Sequence, residues 1–289
     1  MASFTSIFRF CGTDGGVYYG EAGEAIDHSK DTLIGRWVPI FKGECPWDED
    51  LTLTEEQKQV SEVLCPLPRT PLFLCVGLNY KQHAEEAKVS PALHYTYGEY
   101  PTIFTKPPDA LAGPYEDIWV HPSCQSMDYE AELGVVIGKD CKNLSQSADV
   151  SDYILGYVAG NDVSSRWWQT PERCNNQHGS AKQFDKFAPV GPVITSTSAI
   201  PDPKILRMEC FVNGQKRQST LIEDQIFDIP KILEHLTRGT TVRKGTVILT
   251  GTPSGVAAFM KPPQWLQDGD VVEVSIDKIG RISNRMKFE

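Results

Sequence analysis

Asp128-Tyr129-Glu130-Ala131-Glu132-Leu133-Gly134-Val135-Val136-Ile137-Gly138 begins in acids and ends in an apolar, β-branched run. The Val-Val-Ile end favours a strand. In a strand, side chains alternate between faces, so Asp128, Glu130 and Glu132 share one face and Tyr129, Ala131 and Leu133 the other. Carboxylates held that close repel, and burying them is costly unless positive charge sits between them. A hard divalent cation supplies that charge. A solvated strand end with an idle acid pair explains this one stretch equally well, so the decision rests on what the rest of the chain brings to it.

The chain has 289 residues, 40% of them hydrophobic, enough for one large domain or two unequal ones. With 28 basic and 38 acidic residues the formal charge is −10, and no Lys/Arg cluster stands out, which argues against nucleic acid as a partner. No apolar run reaches the ~18 residues of a membrane-spanning helix. The segment Met1 to Gly23 has neither a signal-peptide apolar core nor the Arg-rich, acid-poor character of a mitochondrial presequence, so the sequence reads as cytoplasmic. Eight scattered cysteines without Cys-x-x-Cys spacing read as free thiols, not as a disulfide framework or zinc site.

Residues 1–70 read as a small N-terminal domain. Phe4–Phe10 and Gly16–Gly20 are strand-like, Thr54-Glu55-Glu56-Gln57 is a capping-box pattern opening a helix to Leu64, and Pro66, Pro68 and Pro71 make a linker. Residues 71–289 carry the chemistry. Leu72–Gly77 reads as a buried strand leading to a helix with Asn79 as its N-cap. On that helix His83 and Glu86 are three apart and face the same way. A carboxylate beside an imidazole fixes its tautomer and raises its basicity, as a general base requires; an exposed helical ion pair is the plainer alternative. The aromatic segment Val89–Pro101 suits a flap over a site. Lys106, at the end of the strand Thr102–Lys106, either snorkels or serves an anionic site.

Further on, Asp152–Asn161 reads as a helix end and a strand that delivers Asp162 at its edge. Arg166 and Gln169 follow, three apart, and a loop Gln177–Lys182 presents Lys182. Asn213-Gly214 marks a hairpin turn, Asp228 caps a helix to Arg238, and Thr250-Gly251-Thr252-Pro253 ends an apolar strand in a turn able to grip a carboxylate. A last hairpin spans Asp270 to Phe288. Many short strands, few helices and no βαβ repetition predict a mainly β fold with short helices. Glu130, Glu132 and Asp162 together suit Mg²⁺ or Mn²⁺, and Lys182 either offsets their charge, holds a substrate oxygen or is an ordinary surface lysine.

These residues, in this order over residues 72–289, resemble the fumarylacetoacetate hydrolase superfamily. The resemblance rests on Val76-Gly77-Leu78-Asn79-Tyr80 with His83, Phe104-Thr105-Lys106-Pro107, Asp128–Leu133, Asn161–Arg166 with Gln169, Lys182, Phe184-Asp185, Phe187-Ala188-Pro189, Val212-Asn213-Gly214 and Thr250–Val256. It implies a rolled mixed β-sheet, a homodimer and bound Mg²⁺ or Mn²⁺ on Glu130, Glu132 and Asp162. It implies His83 and Glu86 as a base dyad on a lid and Lys182 holding metal or substrate oxygens. Arg166, Gln169 and Thr252 would bind substrate carboxylate or oxo groups, and Lys106 joins them as an anion-site candidate. Asp128 drops out as a ligand and is expected to brace the strand or a neighbouring loop.

The implied activity is that of a Mg²⁺-dependent enzyme on a 2-oxo or β-diketo dicarboxylic acid, working through a metal-stabilised enolate. C–C cleavage by hydrolysis or decarboxylation ranks first, keto–enol tautomerisation or isomerisation second. A non-catalytic oxo-acid binding protein is third, with the His83–Glu86 dyad arguing against it. The style of the motifs is that of the oxaloacetate-acting and diene-dioate-isomerase branch, with two departures. Gln177-His178 stands where that branch has Gln-Trp, and Gly255-Val256-Ala257-Ala258 where it has Gly-Val-Gly.

Overall fold

The apolar half of the acidic stretch, Ala131–Ile137, is a strand buried along its whole length. Leu133, Val135 and Ile137 enter one hydrophobic cluster with Met208, Val272 and Val274. Val136 points the other way, into a second cluster with Phe73, Val158 and Leu249. Burial on both faces explains why this half of the stretch is continuously apolar instead of alternating.

The computed structural model describes residues 4–25, 27–88, 97–145, 148–175 and 177–289. Among them the chain opens with β1 (Ser6–Gly12), β2 (Val17–Glu21), α1 (Lys30–Leu33), β3 (Trp37–Lys42) and β4 (Thr52–Leu64). β5 (Phe73–Gly77), α2 (Lys81–Lys88), β6 (Thr102–Lys106), β7 (Leu111–Ala112), β8 (Ile118–Val120), β9 (Met127–Asp128) and β10 (Ala131–Ile137) follow. Next come β11 (Ile154–Asn161), β12 (Ser164–Ser165), the short helices α3 (Arg166–Gln169), α4 (Pro171–Cys174) and α5 (Gly179–Lys182), and β13 (Ala188–Thr195). β14 (Arg207–Val212), β15 (Gln215–Leu221), α6 (Ile229–Thr237), β16 (Val247–Leu249), β17 (Val271–Ile276) and β18 (Gly280–Phe288) complete the order.

The principal sheet runs β2-β3-β4-β1-β13-β11-β10-β16-β5-β6, with β7 alongside β13. A second sheet runs β15-β14-β17-β18-β8, and β9 pairs with β12. The pairings are mixed: β16–β5, β13–β7 and β18–β8 are parallel and the others antiparallel. The larger cluster fills the space between the two sheets, as the expected mainly β fold requires. No helix among the described residues is long and apolar enough to cross a membrane.

Strand β1 joins β13 through Ser6↔Thr195 and Ile7↔Ile194, so the N-terminal strands extend the principal sheet. The expected helix from Thr54 to Leu64 is instead the long strand β4, paired with β3 and β1. Val60 and Val63, three apart, are both buried, which mimics helical spacing. A register shift where β4 meets Cys11 and Gly12 lets both reach the core from a strand. Asn79 does not cap α2. Its amide donates to Phe227 O at 2.9 Å and Thr250 O at 2.8 Å, and its oxygen accepts from Phe227 N at 2.8 Å. The expected loop to Lys182 ends in the helical turn α5. The Asn213-Gly214 hairpin and the Asp228 cap form as read, with φ of 50° and 76° in the turn and Asp228 accepting from Lys231 N at 3.2 Å. Most of the expected flap, residues 89–96, lies outside the described residues.

Candidate active site

Two backbone ties fix the junction between β9 and β10 against the end of β11. Glu130 N donates to Asn161 Oδ1 at 3.0 Å, and Asp162 N donates to Glu130 O at 2.8 Å. Glu130, Glu132 and Asp162 thereby converge, each offering an oxygen within 4.8 Å of the others, and all three are buried. Asp128 shares their burial but faces another set of partners. It accepts from Tyr129 N, Ala257 N, Ala258 N and Arg166 Nε at 2.8–3.1 Å. The expectation that Asp128 braces a neighbouring loop thus acquires a specific partner, the backbone of Ala257-Ala258.

Three cations surround these acids. The Lys182 ammonium donates to Glu130 Oε2 and Asp162 Oδ2, both at 2.5 Å, and lies 4.9 Å from the centre of the Phe104 ring. Arg166 donates to Asp128 and Glu130 and, from a terminal nitrogen, to Gln169 Oε1 at 2.9 Å. Lys106 is fully buried and donates to Asp162 Oδ1 at 2.5 Å and to Phe187 O. It does not line the pocket. Its ammonium is spent behind Asp162, so the geometry removes Lys106 from the substrate-binding set and gives it a bracing position.

Four buried carboxylates face three cations, and the shortfall falls on Glu132. Among the described residues it meets no cation directly; its donor is Gly251 N, at 2.6 Å. Burial first, then Asp162 and Glu130, push its carboxyl well above the ordinary range. Burial works in the same direction on Glu130, but Lys182 and Arg166 outweigh it and hold that carboxyl well below its usual value. Burial disfavours the Lys182 ammonium, yet Asp162 and Glu130 raise it above a free lysine. Three hard oxygen donors, screened from water and short of one positive charge, fit a hard divalent cation. Gly251 makes this possible. Its φ is +102°, and a Cβ there would come within 2.7 Å of the Asn79 side chain.

His83 lines the same pocket as Glu130, Glu132, Arg166, Gln169, His178, Lys182 and Thr252. His83 Nδ1 lies 3.1 Å from Glu86 Oε2, and its ring packs on Phe259 at 5.6 Å. Glu86 also accepts from Gly255 N at 3.2 Å, tying α2 to the turn after β16. The Thr252 hydroxyl accepts from Gln218 Nε2 at 2.8 Å. The site residues read from the sequence therefore meet in one place, except Glu86, one step behind His83, and Lys106. Asp128, Phe104 and Gln218 complete the site without having been assigned to it, while Gly251 belongs to the turn read as able to grip a carboxylate, here that of Glu132. Asp128 had a visible signal, its shared face with the two glutamates; Gln218, on a distant hairpin, had none.

A mixed β fold thus carries one pocket that joins a cluster of buried carboxylates and cations to an imidazole–carboxylate pair. The model of the fumarylacetoacetate (FAA) hydrolase C-terminal domain matches residues 73–287, and the chain belongs to that family. A fumarylacetoacetate hydrolase domain-containing protein 2 homolog of Dictyostelium discoideum is 40% identical, over 74% of this chain and 71% of its own. The oxaloacetate tautomerase YisK of Bacillus subtilis (strain 168) is 38% identical, over 76% and 71%. A crystal structure of 2-hydroxyhepta-2,4-diene-1,7-dioate isomerase from Mycobacterium marinum superposes with a TM-score of 0.78 at 30% identity, covering 99% of each chain. The protein is therefore an enzyme of this family, of the kind that includes tautomerases and isomerases of keto acids.

Proposed function

We propose that the protein is a divalent-metal-dependent keto–enol tautomerase of a 2-oxo dicarboxylic acid. The observation that carries the reading is the position of His83, which lines the same pocket as Glu130 and Glu132, the two glutamates that converge with Asp162, and has Glu86 on its Nδ1. When held by Glu130, Glu132 and Asp162, Mg²⁺ or Mn²⁺ supplies electrophilic assistance to an oxo group. Glu86 keeps the proton on Nδ1, which leaves His83 Nε2 as the basic nitrogen. Nε2 takes the proton from the carbon beside the oxo group and returns it to oxygen, the one transfer that a tautomerase needs. Lys182 keeps Glu130 and Asp162 aimed at the metal, and Lys106 braces Asp162 from behind. Arg166, Gln169 and Thr252 hold the substrate carboxylates, while Phe104 and Phe259 keep water from the reacting carbon.

Relatives named as oxaloacetate tautomerases support the proton shift over C–C cleavage, which the sequence ranks first. Cleavage is the second reading, favoured by a structural neighbour named fumarylacetoacetate hydrolase from Exiguobacterium antarcticum, at 32% identity and a TM-score of 0.78. It uses the same residues with a water directed by His83. An NMR product screen of 2-oxo and β-diketo acids with Mg²⁺ separates the two. Enol–keto conversion without new carbon skeletons supports tautomerisation; carbon dioxide or a split product overturns it in favour of cleavage.

The resemblance also leads us to assign a cytoplasmic homodimer, and a monomer mass by light scattering overturns that assignment. The division into residues 1–70 and a catalytic domain 71–289 is part of the same proposal. The family match beginning at residue 73 supports it.

A further inference from the structure

One pocket residue has no part in the mechanism above, although it departs from the pattern the motifs follow. His178 lines the pocket beside Gly77 and Phe104, and its ring stacks on Phe104 with centroids 5.1 Å apart and planes inclined by 23°. Its Nδ1 lies 3.0 Å from Gln169 Nε2. Gln169 is 4% exposed.

The donors along this line settle every proton. An arginine nitrogen only donates, so the Gln169 atom 2.9 Å from Arg166 is the carbonyl oxygen. The other end of the same amide is then an NH₂, which only donates, so His178 Nδ1 is the acceptor and the ring proton sits on Nε2. Burial, with Lys182 next, lowers the His178 pKa to about 4, which agrees with a neutral ring. A flipped Gln169 would set its NH₂ against the Arg166 guanidinium, and the acceptor nitrogen of His178 rewards the unflipped form. Arg166 in turn donates to Glu130 and Asp128. The imidazole thus stands at the start of a chain that runs through Gln169 and Arg166 to a proposed metal ligand.

We propose that His178 is a positioning residue that sets substrate specificity: by accepting from Gln169 it locks the amide in one orientation, so that the second amide N–H is presented to a carboxylate oxygen of the substrate. The inference deepens the proposed function and rests on its assignment of an oxo dicarboxylic acid. An acceptor at this position is the requirement. A ring that merely fills the same space on Phe104 leaves Arg166 alone to hold the amide.

Two substitutions separate acceptor from filler. His178→Phe keeps the stack on Phe104 and removes the acceptor. His178→Asn loses the stack and offers Oδ1 close to where Nδ1 lay. With Mg²⁺ and oxaloacetate, the expected result for His178→Phe is a KM raised about 5- to 10-fold, the scale of one lost buried hydrogen bond, with kcat within about twofold. His178→Asn is expected to recover most of the KM. A His178→Phe enzyme with wild-type KM beside an impaired His178→Asn enzyme overturns the proposal and makes the residue packing. Should the wild type leave oxaloacetate unchanged, the proposed function fails first. Calorimetric binding of oxalate to the Mg²⁺-loaded variants then tests His178 by itself. The same order of affinities upholds the inference for dicarboxylate binding, and equal affinity for wild type and His178→Phe overturns it.

Discussion

Replacing Glu132 with Gln isolates the charge imbalance at the centre of the site. Without metal, Glu132 is 1% exposed, meets no cation directly among the described residues and sits near Asp162 and Glu130. Glutamine keeps an oxygen for Gly251 N and removes the ionisable proton, so the metal-free variant is expected to match the wild type at low pH. The pH dependence follows from the sign of the shift. The folded pKa of Glu132 lies above its unfolded value, so its contribution to stability is full below about pH 4.5 and is lost as pH rises toward the folded value. Glu132→Gln should therefore be the more stable of the two metal-free proteins in mildly alkaline buffer. Metal reverses the order. At 100 times its dissociation constant a ligand adds about 2.7 kcal/mol, which for a chain of this length moves Tm by about 4–5 °C. Differential scanning fluorimetry with and without Mg²⁺ reads both effects. The wild type is expected to gain this shift, increasingly as pH rises, and Glu132→Gln to lose most of it. A full Mg²⁺ shift in the variant, or a metal-free variant several degrees less stable at every pH, refutes the reasoning.

Three other outcomes follow from the same geometry. His83→Ala should lower turnover by about 10²- to 10⁴-fold while leaving the Mg²⁺-induced Tm shift intact, which separates the base from the metal site; loss of both contradicts the assignment. Lys106→Met leaves Asp162 without its rear cation, and breaking a buried pair of this kind costs about 3–5 kcal/mol. Chemical denaturation should show it, and a neutral result would mean that Asp162 is braced by Lys182 alone. Gly251→Ala puts a Cβ against Asn79 at φ +102°; a cost of about 2–3 kcal/mol is expected, with weakened metal binding because the amide on Glu132 moves.

The site was more legible in the sequence than the N-terminal strands. Strand period placed Glu130 and Glu132 on one face, and a buried strand edge at Asp162 completed the cluster, because side chains fixed to strand ends inherit the strand's geometry. Thr54–Leu64 misled because a capping-box pattern and a three-residue apolar spacing are local signals. The register shift opposite Gly12 that turns Val60 and Val63 to the same side arises from pairing with β1, far away in sequence. Asn79 misled for a related reason: a residue able to cap a helix is equally able to satisfy backbone groups of Thr250 and Phe227, about 150 residues or more away. Lys106 could be read as facing an anion, which it does; that the anion is Asp162 and not substrate depends on the depth of the strand end in the fold.

In the proposed function His83 moves a proton on a metal-assisted oxo acid without breaking a carbon–carbon bond. Stopped-flow absorbance of the oxaloacetate enol band, with pyruvate assayed in the same samples, reads the proton shift and the bond cleavage side by side. The Mg²⁺-loaded wild type is expected to speed enol–keto relaxation, His83→Ala is expected not to, and pyruvate should stay at the uncatalysed level. Enzyme-dependent pyruvate, or relaxation equally fast in His83→Ala, would contradict it.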